Sequence, residues 1–263
     1  MKLIKIYGER NTNTNYLREL INLNLEVGEI PGVVPKAMRR IQTYLPAKNG
    51  LRDLYFGLTY HRNLGWKHAL VKDPLYISKF ALVKNNDVHF ITLTKNPYSW
   101  LLSLFRRPYH QYYKVKPDFE TFLEMEWKTV RRENIRQTVA NPIELWNIKN
   151  RGYLELQPLN TLNLTTESIF HDVESVLLQI STKFSINYLT SHFINFDHST
   201  KYESRNSEYY RDFYTNERWR PEISDSAISL INNHLDADLM EQFGYKYLRG
   251  GSDISDPEGE MRQ

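Results

Sequence analysis

The stretch Gly8-Glu9-Arg10-Asn11-Thr12-Asn13-Thr14-Asn15 holds the first residues whose types and spacing suit chemistry. Before it lies a short apolar run, Leu3-Ile-Lys-Ile-Tyr7; after it, Tyr16, Leu17, Leu20, Ile21 and Leu23 recur at helical spacing. The pattern predicts a strand, a polar loop and a helix, so the loop opens onto a helix N-terminus. Backbone N–H groups there are unpaired and carry the positive end of the dipole, a setting that favours phosphate. Compared with G-x-x-x-x-G-K-[ST], Gly8 fits the first glycine and Asn13 stands at the second. Thr14 replaces the lysine that reaches the β- and γ-phosphates, and Asn15 replaces the hydroxyl residue that ligates magnesium. The frame of the loop is present without its triphosphate chemistry. Asn13 tolerates the positive φ of the missing glycine, so the turn can be kept. Taken alone, the loop reads better as a polar helix cap rich in Thr and Asn.

A second unit of the same kind follows. Val88-His-Phe-Ile-Thr-Leu-Thr94 is rich in β-branched and aromatic residues and predicts a buried strand. Asn96 and Pro97 suit the cap and first position of a helix that continues to Arg106. The stretch Lys95-Asn-Pro-Tyr-Ser-Trp-Leu-Leu-Ser103 resembles the 3′-phosphate motif of the sulfotransferase superfamily, approximately R-[ND]-P-x-x-x-x-x-S, with Lys95 at the arginine and Ser103 at the serine. Arg10 to Tyr16 then aligns without a gap with the superfamily's 5′-phosphosulfate loop, P-K-S-G-T-[TN]-[WF]. Asn11 falls at the lysine, Thr12 at the serine, Asn13 at the glycine and Thr14 at the threonine. The form G-E-R-N-[ST]-x-T-N-[FY]-L resembles a bacterial or viral branch of the superfamily. Lys67-His68 lies between the two motifs, where the family carries its catalytic histidine.

The resemblance runs from Lys2 to about Leu248 and implies a P-loop NTPase-like three-layer α/β sandwich with a central parallel sheet. It implies transfer of a sulfuryl group from 3′-phosphoadenosine 5′-phosphosulfate, as co-substrate, to an acceptor hydroxyl on a small molecule or carbohydrate. Arg10, Asn11, Thr12, Asn13, Thr14 and Asn15 would hold the 5′ end of that donor, and Lys95 and Ser103 its 3′-phosphate. His68 would accept the proton of the acceptor, because an imidazole titrates near neutral pH. With Asn11 in place of the family lysine, Arg10 and Lys67 become the candidate cations for the leaving phosphate. No metal is expected. The superfamily's late Arg-Lys-Gly segment has no clean counterpart; Lys201 and Arg205 are candidates for its charge. Two other functions fit the loop. One is a nucleotide or small-molecule kinase, which the missing lysine and magnesium hydroxyl oppose. The other is a non-catalytic nucleotide-binding module, which Asn11 favours. Each residue also has a bland reading: His68 as a satisfied strand-end histidine, Lys95 and Ser103 as a charged strand end and a small helical residue, and His110, in Arg106-Arg-Pro-Tyr-His110, as a surface residue rather than a contact to acceptor or cofactor.

The elements that must position these residues alternate between strand and helix, which implies a parallel sheet covered on both faces. Leu64 to His68 reads as a second strand end, and residues 118–153 as two helical segments broken near Asn141-Pro142. Leu159 to Leu164 reads as a further strand. Asp172 to Phe184 reads as an amphipathic helix, and Ser224 to Phe243 as another, closed by Gly244. Lys128 to Arg136 places basic residues at helical spacing, as on a solvated face. One domain over 1–249 is expected, with 250–263 a disordered tail. The 263 residues suffice for a sizeable core without staples. With 34 Lys and Arg against 31 Asp and Glu, the formal charge of +3 is too mild for a nucleic-acid binder. The absence of cysteine excludes a thiolate nucleophile and a disulfide scaffold, and suits a cytoplasmic setting. No apolar run is long enough to span a membrane.

Overall fold

A computed structural model describes residues 2–42, 48–197 and 206–250. Its centre is a four-stranded parallel sheet in the order β2-β1-β3-β6. The strands are β1 (Lys2–Gly8), β2 (Gly28–Glu29), β3 (Asp87–Thr94) and β6 (Thr161–Thr165). A separate antiparallel pair joins β4 (Trp127–Lys128) to β5 (Thr138–Val139).

Side chains alternate across each strand; in β1 and β3 both sets are largely apolar because both faces are covered, whereas β6 alternates Leu162 and Leu164 with Thr161, Asn163 and Thr165. Ile4, Ile6, Ile91, Leu93, Leu162 and Leu164 pack against the helices Thr14–Asn24 and Val173–Phe184. Leu3, Tyr7, Val88 and Phe90 face the other way, against Ile30, Leu64, Ile77, Tyr153 and Leu156. The result is the expected three-layer α/β arrangement. Burying each such Leu, Ile or Phe contributes about 1.5–3 kcal/mol relative to exposure. A third apolar cluster surrounds the Pro97–Arg106 helix, with Trp100, Trp127, Trp146 and Trp219 all buried.

β1 and β3 lie side by side, with Gly8 in register with Leu93. From β1 the chain passes to β2 on one side of the pair; from β3 it reaches β6 on the other. The crevice beyond their carboxyl ends is therefore a topological switch point, where open α/β sheets bind ligands.

Three expected elements differ. Leu64 to His68 is not a strand: Leu64 (φ 55) and Gly65 (φ 88) are consecutive left-handed residues, which an extended run cannot contain. Its end still bonds like a strand, with Gly8 N–H donating to Lys67 O at 2.9 Å and Lys67 N–H to Gly32 O at 3.0 Å. Within 118–153 the first helix is only Phe119–Glu124, followed by the β4–β5 hairpin, and the second is Pro142–Leu154. The basic run Lys128–Arg136 thus lies in the hairpin and a short 3₁₀ turn, Arg131–Glu133, rather than on a helix. Ser224 to Phe243 divides into Asp225–His234 and Ala237–Gln242, because Asp236 caps the second helix by accepting from Leu239 N–H at 3.3 Å. Lys201, Arg205 and, but for Gly250, the expected tail lie outside the described residues.

Candidate functional site

Both loops singled out in the sequence end adjacent strands and are tied to each other. After β1 the chain turns through Asn11 (φ 66) and Asn13 (φ 61), two left-handed positions that asparagine tolerates better than most residues. Gly8 is needed for close packing: a Cβ there would lie 2.7 Å from Thr14 Cγ2 and 2.8 Å from Leu93 O. The loop is cross-braced to the second unit. Trp100 Nε1 donates to Arg10 O at 2.9 Å, and Asn11 Nδ2 to Ser103 O at 3.3 Å. Thr166, fully buried, sets its hydroxyl 3.0 Å from both Thr12 O and Thr94 O.

The helix Thr14–Asn24 has no side-chain cap from Asn13, and its first turn opens on a cavity of about 320 Å³. Arg10, Asn11, Asn13, Thr14, Asn15, Lys67 and His68 all line that cavity. Asn13 Nδ2 is buried there without a hydrogen-bond partner among the described residues, a donor that a ligand oxygen would satisfy. Lys67 Nζ reaches over the helix start to donate to Asn15 Oδ1 at 2.5 Å. Thr12 is placed differently. It does not line the cavity, and its hydroxyl donates to Glu9 O at 2.6 Å inside the loop.

His68 is half-buried beside the loop, with Nδ1 2.5 Å from Gly8 O. A carbonyl only accepts, so Nδ1 carries the hydrogen and Nε2 keeps its lone pair. Burial, then the nearby Lys67 and Arg10 charges, holds the imidazolium pKa well below the usual histidine range. The ring is therefore neutral at pH 7, and Trp66 packs edge-on against it at 5.0 Å. Behind it Lys149 donates to the His68 carbonyl and pairs with Glu9 Oε2 at 3.0 Å. Lys5, in β1, donates to Asn63 O at 2.5 Å and Gly65 O at 2.7 Å, holding the segment that leads into Lys67 and His68.

Lys95 and Ser103 are brought together but do not line the cavity. Lys95 Nζ donates to Ser103 Oγ at 2.9 Å and to Tyr214 OH at 3.1 Å, with Trp146 Nε1 holding Lys95 O at 3.0 Å. Tyr214 belongs to the helix Ser207–Thr215 and also walls a second, broader groove with Asn96, Glu167 and Arg220. Burial is the main cause that lowers the Lys95 pKa to about 7, against the opposing pull of Glu167.

Of the remaining residues of the site the sequence singles out His110, as a contact to acceptor or cofactor or as a surface residue, and carries little signal for the others. Arg132, from the basic run, is buried on Asp53 at 2.8 Å, and its guanidinium lies 4.7 Å from the Trp66 ring. Arg52, Tyr109 and His110 line the cavity, as do Phe170, Phe196 and Tyr210. Charge or aromaticity alone does not separate these from surface and core residues of the same types. Among the described residues no group of His, Asp and Glu is arranged to hold a metal ion, and no helix is long and apolar enough to cross a membrane.

No family model matches the chain, and no curated protein matches it. Solved structures similar to it include the sulfotransferase domain from the Synechococcus PCC 7002 olefin synthase, at 13% identity over 94% of this chain and 95% of that one, with a TM-score of 0.47. The sulfotransferase domain from the curacin biosynthetic pathway is 12% identical over 93% and 98%, with a TM-score of 0.40. A sulfotransferase from Alicyclobacillus acidocaldarius is 14% identical over 90% and 98%, also with a TM-score of 0.40.

Proposed function

We propose that the chain transfers a sulfuryl group from 3′-phosphoadenosine 5′-phosphosulfate to an acceptor hydroxyl. The observation that carries this reading is the junction at the ends of β1 and β3. A helix N-terminus with a buried, unsatisfied Asn13 amide and a neutral His68 sits at one strand end, and a joined Lys95–Ser103 pair at the next. The donor supplies an activated sulfuryl group whose bond to the bridging phosphate oxygen breaks as the acceptor oxygen attacks sulfur. The helix N-terminus, Asn13 Nδ2 and Thr14 would hold the 5′ end. Lys67, which already reaches over this helix start, is the better-placed cation for the leaving phosphate; the Arg10 guanidinium faces Trp66, Tyr109 and His110 instead. His68 Nε2 would take the acceptor proton. Phe196 and Tyr210, half-buried on the cavity wall, would offer ring surface to the adenine, while Phe170 is already stacked between Tyr16 and Tyr214 and backs that wall. Lys95 would exchange Tyr214 OH for the 3′-phosphate, and a dianion beside it would restore its full charge.

Calorimetric titration with adenosine 3′,5′-bisphosphate, AMP and ATP with magnesium tests the reading. The bisphosphate is expected to bind tightest. In Lys95→Ala its affinity should fall roughly tenfold to a hundredfold, the loss of one charge-assisted hydrogen bond of about 1.5–3 kcal/mol, while AMP changes little. Preference for ATP with magnesium would instead support the kinase reading. Equal loss of bisphosphate and AMP would mean that Lys95 serves the fold rather than the cofactor.

A further inference from the structure

One wall of the cavity, where Arg10 at the start of the phosphate loop meets Trp66, Tyr109 and His110, is built from cations and aromatic rings. The Arg10 guanidinium lies 4.8 Å from the Trp66 ring and 4.4 Å from the Tyr109 ring, and one of its nitrogens contacts His110 Nε2. Arg132 stacks on the same Trp66, and its own nitrogen lies 3.4 Å from the same His110 Nε2. A nitrogen that meets two guanidiniums must accept, so His110 is neutral and contributes no compensating charge. The chain holds His110 there at φ 64, a left-handed conformation uncommon outside glycine. Arg52 completes this wall.

The acids that balance the cluster stand away from the cavity lining. Glu133 lies 3.6 Å from Arg10, and Asp53 pairs with Arg132, yet neither lines the cavity. Among the described residues that do line it, Arg10, Arg52 and Lys67 are cationic and none is acidic. Lys67 serves the donor in the function proposed above. Arg10 and Arg52 are the lining cations that the donor does not use, and Arg10 packs on the same Trp66 ring that meets His68. Arg10 is 8% exposed and fixed between two rings, so its guanidinium is already ordered and partly desolvated. A planar anion is the partner that repays such an arrangement.

We infer that the acceptor is itself anionic: a hydroxyl compound carrying a carboxylate or sulfate group, read by Arg10 and Arg52 while its hydroxyl faces His68. This rests on the sulfuryl-transfer reading for the placement of the donor, but the anion wall can be measured by itself. The probes are 4-nitrophenyl β-D-glucuronide and 4-nitrophenyl β-D-glucoside, which differ by one carboxylate in place of a hydroxymethyl group. The 6-sulfate of the same glucoside separates carboxylate from sulfate recognition. Binding is measured by calorimetry with and without saturating adenosine 3′,5′-bisphosphate. At least one anionic glycoside is expected to bind roughly tenfold or more tighter than the neutral one, the worth of one charge-assisted contact. Arg52→Gln should erase most of that preference, Arg52→Lys should keep part of it, and both should bind the bisphosphate as the wild type does. No preference in the wild type, including no binding of any glycoside, overturns the inference. So does an unchanged preference in Arg52→Gln. Failure of the bisphosphate to bind would instead remove the donor reading, and the glycoside comparison made without it would still decide the anion wall.

Discussion

His68 shows how one hydrogen bond selects a chemical role. Donation from Nδ1 to Gly8 O leaves the Nε2 lone pair available, and burial beside Lys67 and Arg10 keeps the ring neutral. A low pKa makes the ring a weak base toward water. It also keeps the base form populated well below pH 6.5, and the acceptor proton leaves only as the transition state forms. In the proposed reaction, His68→Ala is expected to lower turnover roughly 10²–10⁴-fold while leaving bisphosphate affinity nearly unchanged. The wild-type acidic limb of kcat/KM should fall below the ordinary histidine pKa, because the free-enzyme value is shifted downward. Near wild-type transfer by the variant would show that another group takes the proton.

At the scale of elements, the site depends on buried cations that anchor loops to the sheet. Lys149, fully buried on the Pro142–Leu154 helix, joins the first loop through Glu9 Oε2 to the His68 segment through its carbonyl. Glu9 also accepts from Arg10 N–H at 2.7 Å, so the same carboxylate sets the start of the phosphate loop. Lys149→Met would keep the volume but leave Glu9 buried without its cation. A cost of about 3–5 kcal/mol is expected, measured as the fall in unfolding free energy in urea. Adding Glu9→Gln should recover part of it, because the stranded charge is removed. A loss within the ordinary range of surface substitutions, about 0.5 kcal/mol, would mean that the pair does not anchor the loop.

The whole molecule carries a pH dependence of stability that follows from burying lysines. Lys5 and Lys95 both have pKa values lowered to about 7, chiefly by burial, from the ordinary lysine value of 10.5. Between those limits the unfolded chain binds protons that the folded chain does not. Stability therefore climbs as pH rises from 7 toward 10, by at most about 1.4 kcal/mol per unit for each lysine, and falls as pH returns to 7. Above pH 10 the trend reverses, because Tyr7, Tyr153 and Tyr245 are buried and hold their protons more tightly folded than unfolded. Denaturant unfolding between pH 8 and 10 should show the rise, and Lys5→Met should roughly halve its slope whatever it does to stability at one pH. An equal slope in the variant would mean that Lys5 stays charged through its bonds to Asn63 and Gly65 carbonyls.

The amino-acid sequence by itself determined the two strand–loop–helix units, because their rules are local. Apolar runs, Asn96 as a cap that accepts from Tyr98 N–H at 3.1 Å, Pro97 at the first helical position, and Asn13 in a left-handed turn all act over a few residues. The alternation of such units sufficed for a parallel sheet covered on both faces. Tertiary structure decided the rest. Leu64 to His68 reads as a strand end until Leu64 and Gly65 turn left-handed, with Tyr7 OH donating to Leu64 O at 2.5 Å across 57 positions. Arg132 sits in a run of like charges, and only the fold sets it against Asp53, 79 positions away, instead of in solvent. Lys5 and Lys149 look like surface residues because their partners are remote, Asn63 for Lys5 and His68 for Lys149, and the local spacing that pairs Lys95 with Ser103 says nothing of Tyr214, 119 positions away. Whether a charge is buried and paired depends on contacts between distant segments, which local spacing does not record.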